Sequence, residues 1–123
     1  MPVRTRRWND PGQPDDGFRL LVTRYRPRGV AKADETWDEW WPELGPSRQL
    51  HADFWGKTVT TLGPGDYERR FLDEMQMQTF RLRALVSRHQ AGETLTLLCS
   101  SACEDPTRCH RTILKRLIER PSR

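Results

Sequence analysis

Hydrophobic positions along the chain fall into blocks separated by turn formers, and the blocks predict strands and helices in alternation. Phe18–Tyr25 (FRLLVTRY) has a continuous apolar middle, Leu20-Leu21-Val22, followed by β-branched Thr23. An unbroken run of this kind fits a buried strand better than a half-exposed one. Pro27 and Gly29 end it. Thr94–Cys99 (TLTLLC) is the second such run and reads as a central strand. Val3–Trp8 predicts a short edge strand, and the turn-rich stretch Asn9–Gly17 predicts a surface loop.

Helical periodicity marks other blocks. Tyr67, Phe71, Met75, Leu82, Leu85, Val86 and His89 keep roughly one face between Asp66 and Ala91, which predicts one long helix stopped by Gly92. Ile113, Leu114, Leu117 and Ile118 form the apolar stripe of a last helix, which Asp105 would cap and Pro106 would open. Pro46-Ser47 reads as the start of a short helix reaching Phe54 or Trp55. In residues 34–44, Trp37, Trp40 and Trp41 recur at helical spacing among acidic residues. A short helix capped by Asp34 and ended by Pro42 is expected there, with a strand at Trp40–Leu44 as the alternative. The sum is one α/β domain over residues 1–123, with a small, mainly parallel sheet of three to four strands flanked by helices.

Composition narrows the function classes. The 123 residues suit one domain, and a hydrophobic content of 35% leaves a thin core. No run approaches the roughly 18 apolar residues of a membrane helix, and the N-terminus lacks a signal-peptide apolar stretch, so no membrane association is expected. All three cysteines lie between Cys99 and Cys109. That clustering points to a reducing cytoplasm and to metal, redox or catalytic use rather than a disulfide framework. The net charge is +4, with 18 arginines against three lysines. Guanidinium forks grip phosphate and carboxylate in a bidentate way, so a small anionic ligand is expected. No basic helix or nucleic-acid motif argues for sequence-specific DNA or RNA binding.

Candidate chemistry concentrates in Cys99-Ser-Ser-Ala-Cys103-Glu104-Asp105-Pro106-Thr-Arg-Cys109-His110-Arg111, between a strand end and a helix start. Open α/β sheets bind ligands there, and a thiol near a helix N-terminus ionises more readily. Cys103 or Cys109 is the candidate nucleophile or redox thiol, and His110 the candidate general acid/base. Arg24, Arg28 and Arg111 are the candidate anion-holding residues. In a parallel sheet the strand ending at Arg24 opens on the same edge as the one ending at Cys99. Cys99 itself fits a core position as well as a ligand. The spacing misses a Cys-x5-Arg phosphatase loop, since Cys99 and Cys103 are followed six residues later by Asp105 and Cys109.

A metal- or redox-linked Cys/His module is the alternative, using Cys103, Cys109, His110 and either Cys99 or His51. Adjacent Cys109 and His110 would diverge by about 100° on a helix, which counts against both binding one ion. A second alternative is a non-catalytic interaction protein with the acidic Trp-rich segment as its face. Trp37, Trp40, Trp41, Phe54 and Trp55 would form either core or a stacking wall, and Tyr67 either packs or lends its hydroxyl to the crevice.

Several segments together resemble the domain of unknown function 488 family, in its short YeaO-like branch. They are LLVTRYRPRG (20–29), with its Arg-x-x-Pro-Arg-Gly turn; Gly45-Pro46-Ser47 with Leu50; Tyr67-Glu68-x-x-Phe71; and Pro106-x-x-Cys109-His110-Arg111. Ser101-Ala102-Cys103-Glu104 departs from the wider family's Cys-Ala-Glu, displacing the acidic residue by one. The resemblance implies a Rossmann-like α/β domain with a crevice between the arginine turn and the Cys-His-Arg segment. It implies no particular reaction.

Overall fold

The computed structural model describes residues 3–55, 62, 65–100 and 109–120. Four parallel strands, β1 (Arg4–Arg7), β2 (Phe18–Leu21), β3 (Glu39–Trp40) and β4 (Leu95–Cys99), form one sheet in the order β1-β4-β2-β3. The chain is therefore α/β with an all-parallel sheet. β4 is central: it pairs with β1 from Arg4↔Thr96 to Arg7↔Cys99 and with β2 from Phe18↔Leu95 to Leu21↔Leu98. All five of its residues are buried, which is why its sequence runs apolar without alternation. Thr96, its one hydroxyl residue, is satisfied by donating to the Asp16 carbonyl at 2.7 Å.

The helices are α1 (Arg48–Phe54), α2 (Asp66–Met75), α3 (Thr79–Gln90) and α4 (His110–Glu119). Their buried hydrophobic side chains all join one cluster with Leu20, Val22, Leu95 and Leu97. These four strand residues share a face of the sheet because strand side chains alternate. Leu21 and Leu98 point the other way and are covered by Trp37, Trp8, Val30 and Trp40. Helices thus cover one face, while aromatic loop residues cover the other.

Three expectations change here. Residues 34–44 contain no α-helix: 3-10 turns at Lys32–Asp34 and Pro42–Leu44 bracket β3. Pairing with β2 wins because it satisfies the backbone, with the Asp38 amide donating to the Arg19 carbonyl at 2.7 Å and the Trp41 amide to Leu21 at 2.9 Å. The Trp40 indole N–H also reaches the Thr23 carbonyl at 2.8 Å. Of the two alternatives the strand survives, shifted to Glu39–Trp40.

The expected long helix is two, separated by a 3-10 turn at Gln76–Gln78. Met75 is buried but Met77 and Phe80 are exposed, and the stripe resumes at Leu85. The apolar phase slips between them, so Gln78 leaves helical geometry with φ −113° and ψ 24° and re-aims α3.

The last helix starts at His110, with Cys109 extended at its N-cap (φ −103°, ψ 141°). It therefore does not run unbroken from Pro106; Asp105 and Pro106 themselves lie outside the described residues. Ser47 caps α1 as expected, its hydroxyl accepting from the Leu50 amide at 3.2 Å. No helix of the described residues is long and apolar enough to cross a membrane.

Candidate functional site

Parallel pairing places the C-terminal ends of β2 and β4 side by side. A cleft opens there, lined among others by Arg24, Tyr25, His51, Cys99, Cys109 and His110. Cys99 closes β4 two residues after Leu97, so it faces the helix-covered side of the sheet. α4 begins directly above it. The Cys109 thiol consequently donates to Cys99 Sγ at 3.0 Å.

His110 turns inward on the first position of α4. Its Nε2 lies 2.7 Å from the Val22 carbonyl. A carbonyl only accepts, so Nε2 carries the proton and donates, and in the neutral ring Nδ1 is the lone-pair nitrogen. Nδ1 faces both thiols, 4.0 Å from Cys99 Sγ and 4.0 Å from Cys109 Sγ. The Phe71 ring backs the imidazole with centroids 5.5 Å apart. The expected 100° divergence of Cys109 and His110 does not arise, because Cys109 is extended rather than helical and swings its sulfur under the ring.

The walls are aromatic. Phe54 and Tyr67 pack at 4.5 Å, Phe54 and Trp55 meet edge-on at 5.1 Å, and the Tyr25 ring stands edge-on to His51 at 5.2 Å. Phe54, Trp55 and Tyr67 line the cleft. Trp37 instead belongs to the core on the opposite face, and Trp40 and Trp41 border a separate groove with Phe80 and Arg81. The stacking wall considered from sequence is thus divided between site and core. Burial of Trp37 also removes it from the proposed Trp-rich interaction face.

Arg24 is held at the cleft by its Nε donating to the Pro46 carbonyl at 2.8 Å. Gly45 makes this approach possible: a Cβ there would come within 2.4 Å of the Arg24 backbone nitrogen. Gly45→Ala should therefore separate the two backbones, lower stability by about 1–3 kcal/mol and displace Arg24. Urea unfolding measures the first effect, and the Arg24 amide resonance reports the second.

The candidate residues do not all converge. Cys109 and His110 meet with Arg24 in the cleft, and Cys99 joins them. Arg28 is exposed in its turn, and Arg111 is only 5% exposed; neither lines the cleft. Cys103 lies outside the described residues. Tyr25 was not singled out from sequence, although it sits between Arg24 and Arg26 at the strand end; that position was the available signal. His51 lines the wall without being among the clustered ligand atoms.

A small α/β domain with a Cys/His cluster at its strand ends is the class defined by this geometry. The sequence profile described as the active DUF488-N3 subclade matches residues 3–122, and the chain belongs to this family. It is similar to the uncharacterized protein YeaO of Escherichia coli (strain K12), with 32% identity over 117 residues, covering 93% of this chain and 94% of that protein. No solved structure matches the chain.

Proposed function

We propose that the protein is an enzyme that binds an anionic small molecule, nucleotide-like or otherwise phosphorylated, in this cleft and acts on it with thiol–imidazole chemistry. The supporting observation is the meeting of Arg24, aromatic walls and the Cys99–Cys109–His110 group in one concavity. Arg24 supplies the cation for the anionic group. Tyr25, Trp55 and Tyr67 offer ring faces and edges to a planar portion. Cys109, at the N-cap of α4, is the attacking thiol, because the helix end favours its thiolate.

His110 Nδ1 takes the thiol proton, while the Nε2–H bond to Val22 holds the ring's orientation. Attack forms a bond from Cys109 Sγ to the electrophilic atom. The leaving group departs with its electron pair and receives the proton from His110; water, giving a proton to His110 Nδ1, then displaces the sulfur and frees Cys109 as thiolate.

Binding of nucleoside monophosphates and sugar phosphates, followed by calorimetry, tests the reading. Arg24→Ala should weaken any binder roughly 10- to 100-fold, the loss of one charge-assisted hydrogen bond. Cys109→Ser should keep the affinity and lose turnover. Equal affinity in wild type and Arg24→Ala would move the anion elsewhere, and turnover surviving Cys109→Ser would remove the thiol mechanism.

A further inference from the structure

We infer that Cys99 Sγ, Cys109 Sγ and His110 Nδ1 form a binding site for a borderline-soft divalent ion of the zinc class. The three atoms lie within 4.8 Å of one another. A tetrahedral ion with Zn–S near 2.3 Å and Zn–N near 2.0–2.1 Å spaces its donors roughly 3.5–3.8 Å apart. The donor separations here are 3.0, 4.0 and 4.0 Å. Each differs from that spacing by less than an ångström, so the sulfurs would part slightly while the imidazole closes on both.

A second observation points the same way. The Nε2–H of His110 is anchored on a backbone carbonyl at 2.7 Å. Ligating histidines commonly use such a bond to fix the tautomer and present the other nitrogen to the ion.

The donor set selects the class of ion. Two thiolates and a neutral imidazole suit zinc rather than magnesium or calcium, which prefer oxygen. The two thiolate charges cancel the charge of a divalent ion, so all three ligands can remain buried without a net buried charge. Among the described residues the cluster supplies three ligands, and a tetrahedral ion takes a fourth. The ion and the thiol–imidazole chemistry exclude each other, since the ion takes the Nδ1 lone pair that would accept the proton and draws charge from the thiolate. A bound zinc-class ion thus keeps the enzyme latent. That consequence rests on Cys109 being the attacking thiol, whereas capture of the ion rests on the donor geometry alone.

Cobalt(II) titration of the reduced, chelator-stripped full chain is the test, because tetrahedral thiolate–cobalt complexes have visible ligand-field bands and near-ultraviolet sulfur-to-metal bands. One cobalt per chain with both signatures is expected, displaced by one zinc. Cys99→Ser and Cys109→Ser should each weaken binding more than about 100-fold, beyond the usual loss of an outer partner. His110→Ala should retain a sulfur-to-metal band at lower affinity, while His89→Ala on α3 should match wild type. Circular dichroism of each variant establishes that it is folded.

A folded, reduced wild-type chain that takes up no stoichiometric cobalt would overturn the site, as would unchanged affinity in the cysteine variants. Recovery of a Cys99–Cys109 disulfide from protein kept under reductant would replace the ion with a redox pair. Since no phosphorylated compound is present, these readouts are independent of the Arg24 binding result.

Discussion

Phe71→Ala should lower the free energy of unfolding by about 3–5 kcal/mol, the usual cost of deleting a buried aromatic ring. Phe71 is 0% exposed and belongs to the principal core cluster with Leu97, Met75 and Ile113. Its ring stacks on Tyr67 at 6.2 Å and stands 5.5 Å from the His110 imidazole. Alanine would leave a cavity that joins the core to the cleft. Domains of this size are stable by only about 5–15 kcal/mol, so a large share would be lost. Urea unfolding should show a lower midpoint with little change in slope. A loss below about 1 kcal/mol would mean that the site collapses around the gap, contrary to the close packing around Phe71.

Asp16→Ala should have the next largest effect, about 3 kcal/mol, at the lower end of the range for removing one partner of a buried ion pair. The Asp16 side chain is 2% exposed. It accepts from the Gln13 amide at 3.0 Å and from Arg6 Nε at 3.2 Å, and it also pairs with Arg19 and Arg4. The arginines retain partial access to water, which moderates the cost of losing their partner.

Burial alone would raise the Asp16 carboxyl; the Gln13 hydrogen bond and the charges of Arg6 and Arg19 outweigh it and hold the group below the usual carboxylate range. A depressed folded pKa stabilises the protein above the unfolded value, and that contribution fades as pH falls through the folded one. Wild type should therefore lose stability as pH drops below about 4, and Asp16→Ala should lose less over the same interval. Parallel loss in both proteins would assign the acid sensitivity to other carboxylates.

Much of the architecture was legible because the relevant signals are local. The unbroken apolar run of Leu95–Cys99 marks a strand covered on both faces, and it is the central one. Ser47 marks a helix start, and parallel strand ends bring Arg24 to the same cleft as Cys109 and His110. The tryptophan segment misled because a helical spacing was available to residues whose backbone is claimed by the edge of β2. The break at Gln76–Gln78 depends on how α3 packs, so the 66–91 periodicity alone did not reveal it.

Within the site, position between a strand end and a helix start singled out Cys109 and His110, but their adjacency argued for divergent side chains; their convergence depends on the extended backbone of Cys109. Arg111 illustrates the opposite case. It follows His110 directly but is buried away from the cleft lining, because successive helical side chains diverge by about 100°. His51 and Tyr25 meet only because α1 packs beside the end of β2, a contact between residues far apart in sequence.

The most direct measurement is an amide and indole NMR titration of the full chain with nucleoside monophosphates and sugar phosphates. The cleft reading predicts saturable shifts from at least one compound, concentrated at Arg24, Tyr25, Trp55, Tyr67 and His110, and strongly reduced in Arg24→Ala. Shifts centred on the groove between Trp41 and Phe80, or none anywhere across the panel, would contradict it.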